Sequence, residues 1–212
     1  MPLQILSFTV GPVATNAYLL ADPASGEAVL IDPGAEAPRL VQALRAHHWR
    51  LTAIWLTHAH FDHLGGVAGV LRAVQPSPPV GLHPHDCWLW QAKGGADWFG
   101  LDVEDPGPAP DIGFYHGDTL QIGEYACEVR HTPGHTPGHV VFYCPEASAL
   151  FAGDLIFRGS VGRTDLPGGD HQALLESIHT QVLTLPDKTR IFPGHGPATT
   201  VGAERQGNAF LT

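Results

Sequence analysis

Basic side chains are scarce in this chain: 11 Lys plus Arg stand against 21 Asp plus Glu, a formal charge of -10 over 212 residues. A surface of that sign repels phosphate backbones and anionic lipid headgroups, which argues against nucleic acid or a membrane as partner. Long apolar runs are missing too, and the opening Met1-Pro2-Leu3-Gln4-Ile5-Leu6 has no basic stretch followed by a hydrophobic one. Neither a membrane span nor a secretory signal is expected, and the cytoplasm is the expected location. Cysteine is limited to Cys87, Cys127 and Cys144. An odd number without paired spacing predicts buried reduced thiols rather than a disulfide framework or a zinc finger. Length and bulk composition, 43% hydrophobic and 15% charged, suit one globular domain over 1–212, and two halves that each run from strands to helix hint at an α/β sandwich.

The pattern along the chain opens as sheet. Short β-type runs at Leu3 to Val10, Ala17 to Ala21 and Ala28 to Ile31 are separated by turn residues such as Gly11-Pro12 and Asp22-Pro23. Apolar Leu40, Val41 and Leu44 predict an amphipathic helix over Pro38 to His48. A strand is expected at Leu51 to Leu56, a turn at Thr57 to His63, and a helix from Gly65 to Val74. Residues 92–117, with Gly94-Gly95 and Asp105-Pro106-Gly107-Pro108, read as a long irregular surface loop of the kind that shapes substrate pockets. Strands resume at Thr119 to Ile122, Tyr125 to His131, Val140 to Cys144 and Ala149 to Ala152. A helix over His171 to Leu185, capped by Asp170, and a strand at Arg190 to Phe192 complete the pattern.

Into the turn after the fourth strand falls His58-Ala59-His60-Phe61-Asp62-His63, four metal-ligating side chains in six positions. Composition alone gives about 0.004 expected occurrences of H-x-H-x-D-H in this chain, so coincidence is a poor explanation. In extended backbone His58 and His60 leave on the same side and can meet one cation. Asp62 and His63 are adjacent and are expected to diverge, which favours two neighbouring metals over a single tetrahedral site. Three later positions can complete such a centre. His135, Asp154 and His195 each follow a β-type run and each is preceded by glycine, which permits close backbone approach. Asp154 or His195 alone would be an ordinary loop residue; the ensemble gives them meaning. Trp88, Trp90, Trp98 and Phe99 either line a pocket or pack beneath the long loop, His131 and His139 are possible outer hydrogen-bonding partners, and Arg163 with Asp165 suits an ion pair.

H-x-H-x-D-H followed by separated His, Asp and His resembles the metallo-β-lactamase superfamily over nearly the whole chain. That resemblance implies an αβ/βα four-layer sandwich, with His58, His60 and His135 on one metal, Asp62, His63 and His195 on a second, and Asp154 bridging. The segment Gly153 to Asp165, with Pro193 to Pro197, is similar to compact glyoxalase II-like hydrolases. It implies two divalent cations, zinc first and iron or manganese as alternatives, and a small-molecule acyl thioester such as a 2-hydroxyacylglutathione as substrate. Water shared by two cations, its pKa lowered toward about 7, would attack the acyl carbonyl, with Asp62 orienting it. Larger glyoxalase II enzymes carry basic residues for glutathione in a C-terminal helical region, whereas Arg205 is the sole basic side chain after His195 here. The rival reading within the superfamily is a mononuclear iron persulfide dioxygenase, which also carries a Gly-Arg-Thr-Asp segment like Gly162 to Asp165. It would use His58, His135 and Asp154 or His60, His135 and Asp154, with the His60 set favoured.

Overall fold

The computed structural model describes residues 2–211. The first half of the chain forms β1 (Gln4–Val10), β2 (Thr15–Ala21), β3 (Glu27–Ile31), α1 (Ala37–Ala46), β4 (Arg50–Trp55), α2 (Phe61–Leu64), α3 (Val67–Ala73), β5 (Val80–Leu82), α4 (Cys87–Gln91) and β6 (Ile112–Gly113). The second half forms β7 (Thr119–Ile122), β8 (Tyr125–His131), β9 (Val140–Cys144), β10 (Ala149–Gly153), β11 (Ile156–Phe157), β12 (Ser160–Val161), α5 (His171–Ser177), β13 (Arg190–Pro193), β14 (Thr199–Thr200) and α6 (Val201–Gly207). The first sheet runs β1-β2-β3-β4-β5-β6 and the second β14-β13-β10-β9-β8-β7, while β11 and β12 pair alone.

Side-chain alternation along the strands explains the layering. Leu19, Leu30 and Ile54 face α1 and α3, where they pack on Leu40, Leu44, Val67 and Val70. Their neighbours Leu20, Val29, Ile31 and Trp55 point the other way and meet Val129, Phe142 and Phe151 of the second sheet. That sheet's outer residues Val141 and Leu150 pack on Leu174, Ile178 and Val201. With period-2 strands buried on both faces, three hydrophobic layers separate helix, sheet, sheet and helix, the expected αβ/βα sandwich. Strands β3 to β6 run parallel, as do β10 and β13. The residues that follow β4, β10 and β13 therefore leave the sandwich at one edge, where ligands of open sheets gather.

Four expectations need correction. Cys127 and Cys144 are joined by a disulfide, with Cα atoms 4.2 Å apart. The antiparallel register of β8 on β9, Glu128 opposite Tyr143, extends by one step to bring them face to face, a relationship their separation of 17 residues conceals. Cys87 remains a free thiol. Residues 92–117 are not all irregular: Lys93–Phe99 forms 3-10 turns, β6 adds an edge strand, and Gly94, Gly95, Ala96 and Phe114 are buried. Gly94 sits at φ 68° with its Cβ position 2.1 Å from the Phe61 backbone nitrogen, so only glycine lets this segment close against the start of α2. The helix expected over Gly65 to Val74 is α3 alone, with α2 beginning at Phe61 inside the expected turn. The helix expected to Leu185 passes at Ile178–Val182 into a π-helical turn; Asp170 caps its start by accepting from the Ala173 N–H.

Candidate metal centre

Three segments with no sequence proximity are tied together by backbone hydrogen bonds at the sandwich edge. Val140 N–H donates to Thr57 O, joining the His58 loop to β9; Gly194 N–H donates to Gly153 O, joining the loops of His195 and Asp154. Asn16 N–H donates to Gly194 O, and the Tyr18 hydroxyl donates to Pro193 O at 2.6 Å, fastening the last loop to β2. Gly194 is required by crowding: a Cβ there would lie 2.1 Å from Asp154 Oδ1 and 2.8 Å from His63 Cε1.

All seven sequence-predicted residues are brought together. His135 Nε2 lies 2.9 Å from His60 Nδ1 and 3.2 Å from His58 Nε2, a convergence of three imidazole nitrogens. His195 Nε2 lies 3.1 Å from Asp62 Oδ2, and His63 Nε2 lies 3.5 Å from that same oxygen. Asp154 stands between the groups, its Oδ1 3.4 Å from His63 Nε2 and its Oδ2 3.6 Å from His135 and 3.5 Å from His195. Asp62 and His63 were expected to diverge, as they would in extended backbone. They lie instead in the first turn of α2, where successive side chains are about 100° apart, and both reach the His195 group.

The surrounding bonds orient the rings. Thr57 donates its hydroxyl to Asp32 Oδ2, so the hydrogen between Thr57 Oγ1 and His58 Nδ1 belongs to the histidine, leaving His58 Nε2 with its lone pair toward the cluster. His135 Nδ1 donates to Arg163 O at 2.8 Å with the same consequence for its Nε2, and His63 Nδ1 donates to Asp32 Oδ2 at 2.9 Å, which turns Nε2 toward the cluster as the atom that must lose its proton to bind a cation. Thr15 Oγ1 donates to Asp62 Oδ2. His139 accepts from the Asp154 N–H through Nε2 and is hydrogen-bonded to Thr132 through Nδ1. Buried Asp86 accepts from the Ala59 N–H, the Thr136 hydroxyl and the Gly138 N–H, so one carboxyl braces the loops carrying His60 and His135. Burial pushes that carboxyl up to about 6 in spite of its donors.

Electrostatics divides the cluster in two. Burial holds His58 well below the ordinary imidazole value, His60 down to about 3 and His135 low, so all three are neutral at pH 7. Burial also disfavours charge on His63 and His195, yet neighbouring carboxylates win: Asp62, Asp154 and Asp32 raise His63 well above its ordinary value, and Asp154 and Asp62 raise His195 to about 9. Burial opposes ionisation of Asp62 and Asp154, but His63 and His195 hold Asp62 down to about 2 and Asp154 well below the ordinary range. The His63 Nε2 and Asp154 Oδ1 atoms are buried without a hydrogen-bond partner. Buried lone pairs aimed at one point, beside carboxylates, suit divalent cations that accept imidazole and oxygen ligands.

A further histidine group, His83, His85 and His131, lies outside this cluster. Its His83 and His131 rings stack with centroids 4.2 Å and planes 5° apart, so their in-plane lone pairs run side by side rather than converging. His131 Nε2 donates to Pro137 O. Arg163 and Asp165 form the expected exposed ion pair, at 2.7 and 2.8 Å. Trp90 is buried, whereas Trp88, Trp98 and Phe99 are exposed. Sequence reasoning missed Thr15, Asp32, Thr57 and Asp86; Asp32, in Ile31-Asp32-Pro33-Gly34, carried only a turn signal.

Two facing mixed sheets clad in helices, with a buried His and Asp cluster at one edge, define a metal-binding α/β sandwich protein. Residues 10–195 match the Metallo-beta-lactamase superfamily, and the chain belongs to it. It is 40% identical to a Haemophilus influenzae protein named hydroxyacylglutathione hydrolase GloC, over 100% of this chain and 98% of that one. Among solved structures, the BLEG-1 B3 metallo-beta-lactamase superposes with a TM-score of 0.92 at 41% identity, covering 99% of this chain and 100% of that one. TTHA1623 in a di-iron-bound form gives 0.88 at 45% identity, covering 97% and 100%. The chain is thus a metallo-hydrolase of this superfamily. Among the described residues no helix is long and apolar enough to cross a membrane.

Proposed function

We propose that this protein hydrolyses acyl thioesters, 2-hydroxyacylglutathiones among them, at a centre of two divalent cations. His58, His60 and His135 would hold one, Asp62, His63 and His195 the other, and Asp154 would contact both. The observation that carries the reading is the convergence of all seven side chains around the unpartnered His63 Nε2 and Asp154 Oδ1. Bound there, the two cations would make a shared water acidic enough to ionise near neutral pH and would polarise the acyl oxygen.

The chain's own residues supply the rest. Asp62 is a carboxylate at neutral pH, an acceptor only, and Thr15 fixes one of its oxygens. It can therefore take a hydrogen bond from the attacking water and aim a lone pair at the acyl carbon. In the overall step the water oxygen bonds to that carbon, the carbon–sulfur bond breaks, and the proton released from water ends on the departing thiolate. Asp32, Thr57 and the Arg163 carbonyl fix ring orientation. The 40% identical relative named as a hydroxyacylglutathione hydrolase supports the thioester class; the di-iron form of the 45% identical TTHA1623 keeps iron beside zinc as a candidate ion.

Protein reconstituted separately with zinc, iron and manganese is assayed against lactoylglutathione, glutathione persulfide under oxygen, and a β-lactam. Thioester hydrolysis at the highest kcat/KM is expected. One iron per chain, oxygen consumption with the persulfide and no thioester cleavage would replace the hydrolase by a dioxygenase, and a dominant β-lactam turnover would replace the substrate class.

A further inference from the structure

Two adjoining cavities meet at the candidate centre. One, about 250 Å³, lies over His60, Asp62, His135, Asp154 and His195; the other, about 270 Å³, extends from Thr15 and Asp62 away from it. Val13, Phe61, Asp62 and Leu101 border both, so the two lie side by side as the inner and outer arms of a cleft. Its outer arm runs between Val10 to Val13 on one side and Leu101 to Val103 on the other. Val13, Phe99 and Leu101 are 44%, 45% and 38% exposed, and Phe99 lies 5.6 Å from the Phe61 ring. Large apolar side chains gathered at the rim of a reaction centre mark a binding surface rather than scattered exposure.

The charges on that cleft are those a glutathione-binding site would avoid. The outer arm carries Asp102 and Glu104 and, among the described residues, no lysine or arginine. Glu104 is held by Arg72, Nη2 to Oε2 at 2.9 Å. The inner cavity has one guanidinium, Arg163, whose charge is offset by Asp165, bonded to its Nε and Nη2 and leaving only the Nη1 edge open. Arg205, after His195, is turned to Asp187 and to the Leu183 and Leu185 carbonyls. A glutathione thioester brings two carboxylates and one ammonium. In this cleft its two carboxylates would lose water with at most one already paired guanidinium to meet, beside the uncompensated Asp102.

We propose, resting on the thioester reading above, that the cleft selects thioesters whose thiol portion is uncharged and apolar, and that glutathione is the poorer of the thiols it accepts. The outer arm holds the thiol side against Val10, Val13 and Leu101, and Asp102 repels carboxylates there.

Two measurements on the metal-loaded protein test this. The first compares kcat/KM for lactoyl-N-acetylcysteamine and lactoylglutathione, which share the acyl group and differ in thiol charge. The second compares Kd, by calorimetry, for the uncleavable thioethers S-hexyl-N-acetylcysteamine and S-hexylglutathione. The neutral member is expected to lead by about tenfold in both, equivalent to ~1.4 kcal/mol. Asp102→Lys is expected to narrow both gaps by improving the glutathione member. Equal or better binding of S-hexylglutathione, or no measurable binding of either thioether, would overturn the selectivity whatever the rates. Tighter binding of the neutral thioether with neither thioester cleaved would uphold the cleft assignment and remove the hydrolase reading instead.

Discussion

His63 Nδ1 donates to Asp32 Oδ2 at 2.9 Å, and the same carboxyl accepts the Thr57 N–H and hydroxyl, with the hydroxyl in turn holding His58. One buried carboxyl at the end of β3 thus sets the direction of two rings assigned to different cations. Asp32→Ala is expected to weaken metal binding about 10–100-fold, the usual cost of losing such a partner. The stranded donors should lower stability by ~1–3 kcal/mol each. Competition with a graded chelator and denaturant unfolding measure the two effects; unchanged affinity would contradict the role.

Metal loading should expel protons. In the metal-free protein burial disfavours charge on His63 and His195, but Asp154 and Asp62 prevail on both, with Asp32 adding on His63, and His195 rises to about 9. Both rings are therefore cationic at pH 7 and must deprotonate to bind a cation. Calorimetry in buffers of different ionisation enthalpy should find about two protons released per chain at pH 7, with affinity rising from pH 6 to 8. The sign for stability of the metal-free protein is the reverse. A raised histidine pKa contributes fully below the unfolded value of about 6.5 and is lost as pH climbs through about 9. No buffer dependence would contradict the charge assignment.

Gly194→Ala places a methyl group where Asp154 Oδ1 and His63 Cε1 already lie, at 2.1 and 2.8 Å. It is expected to displace the carboxylate between the two groups and lower the metal content per chain, while far-UV circular dichroism stays that of the parent. Full metal content in this variant would contradict the crowding argument.

The β8–β9 disulfide predicts thiol counts. Alkylation of the denatured, unreduced protein should label Cys87 alone, and three thiols after reduction. Cys127→Ala with Cys144→Ala should lower stability by ~3 kcal/mol, the loop-closure value for a separation near 17 residues. Three labelled thiols without reductant would contradict the pairing.

The sandwich and the seven clustered side chains were legible because each leaves a local mark: alternating apolar strands, four ligand types within 58–63, and glycine before His135, Asp154 and His195. The bracing residues leave none. Thr15, Asp32 and Asp86 are common residues whose roles arise from partners as far as 52 positions away, such as Gly138 for Asp86. The helical start at Phe61 was hidden because Asp62 and His63 read equally well as turn residues, and buried Gly94 against the Phe61 backbone is a tertiary fact. The disulfide required the register of two strands, which pairs Glu128 with Tyr143.

Anomalous diffraction from crystals of the metal-reconstituted protein tests the central claim most directly. Two peaks are predicted, one bounded by His58, His60 and His135 and one by Asp62, His63 and His195, with Asp154 reaching both. A single peak at full metal supply, or ions bound away from these side chains, would contradict it.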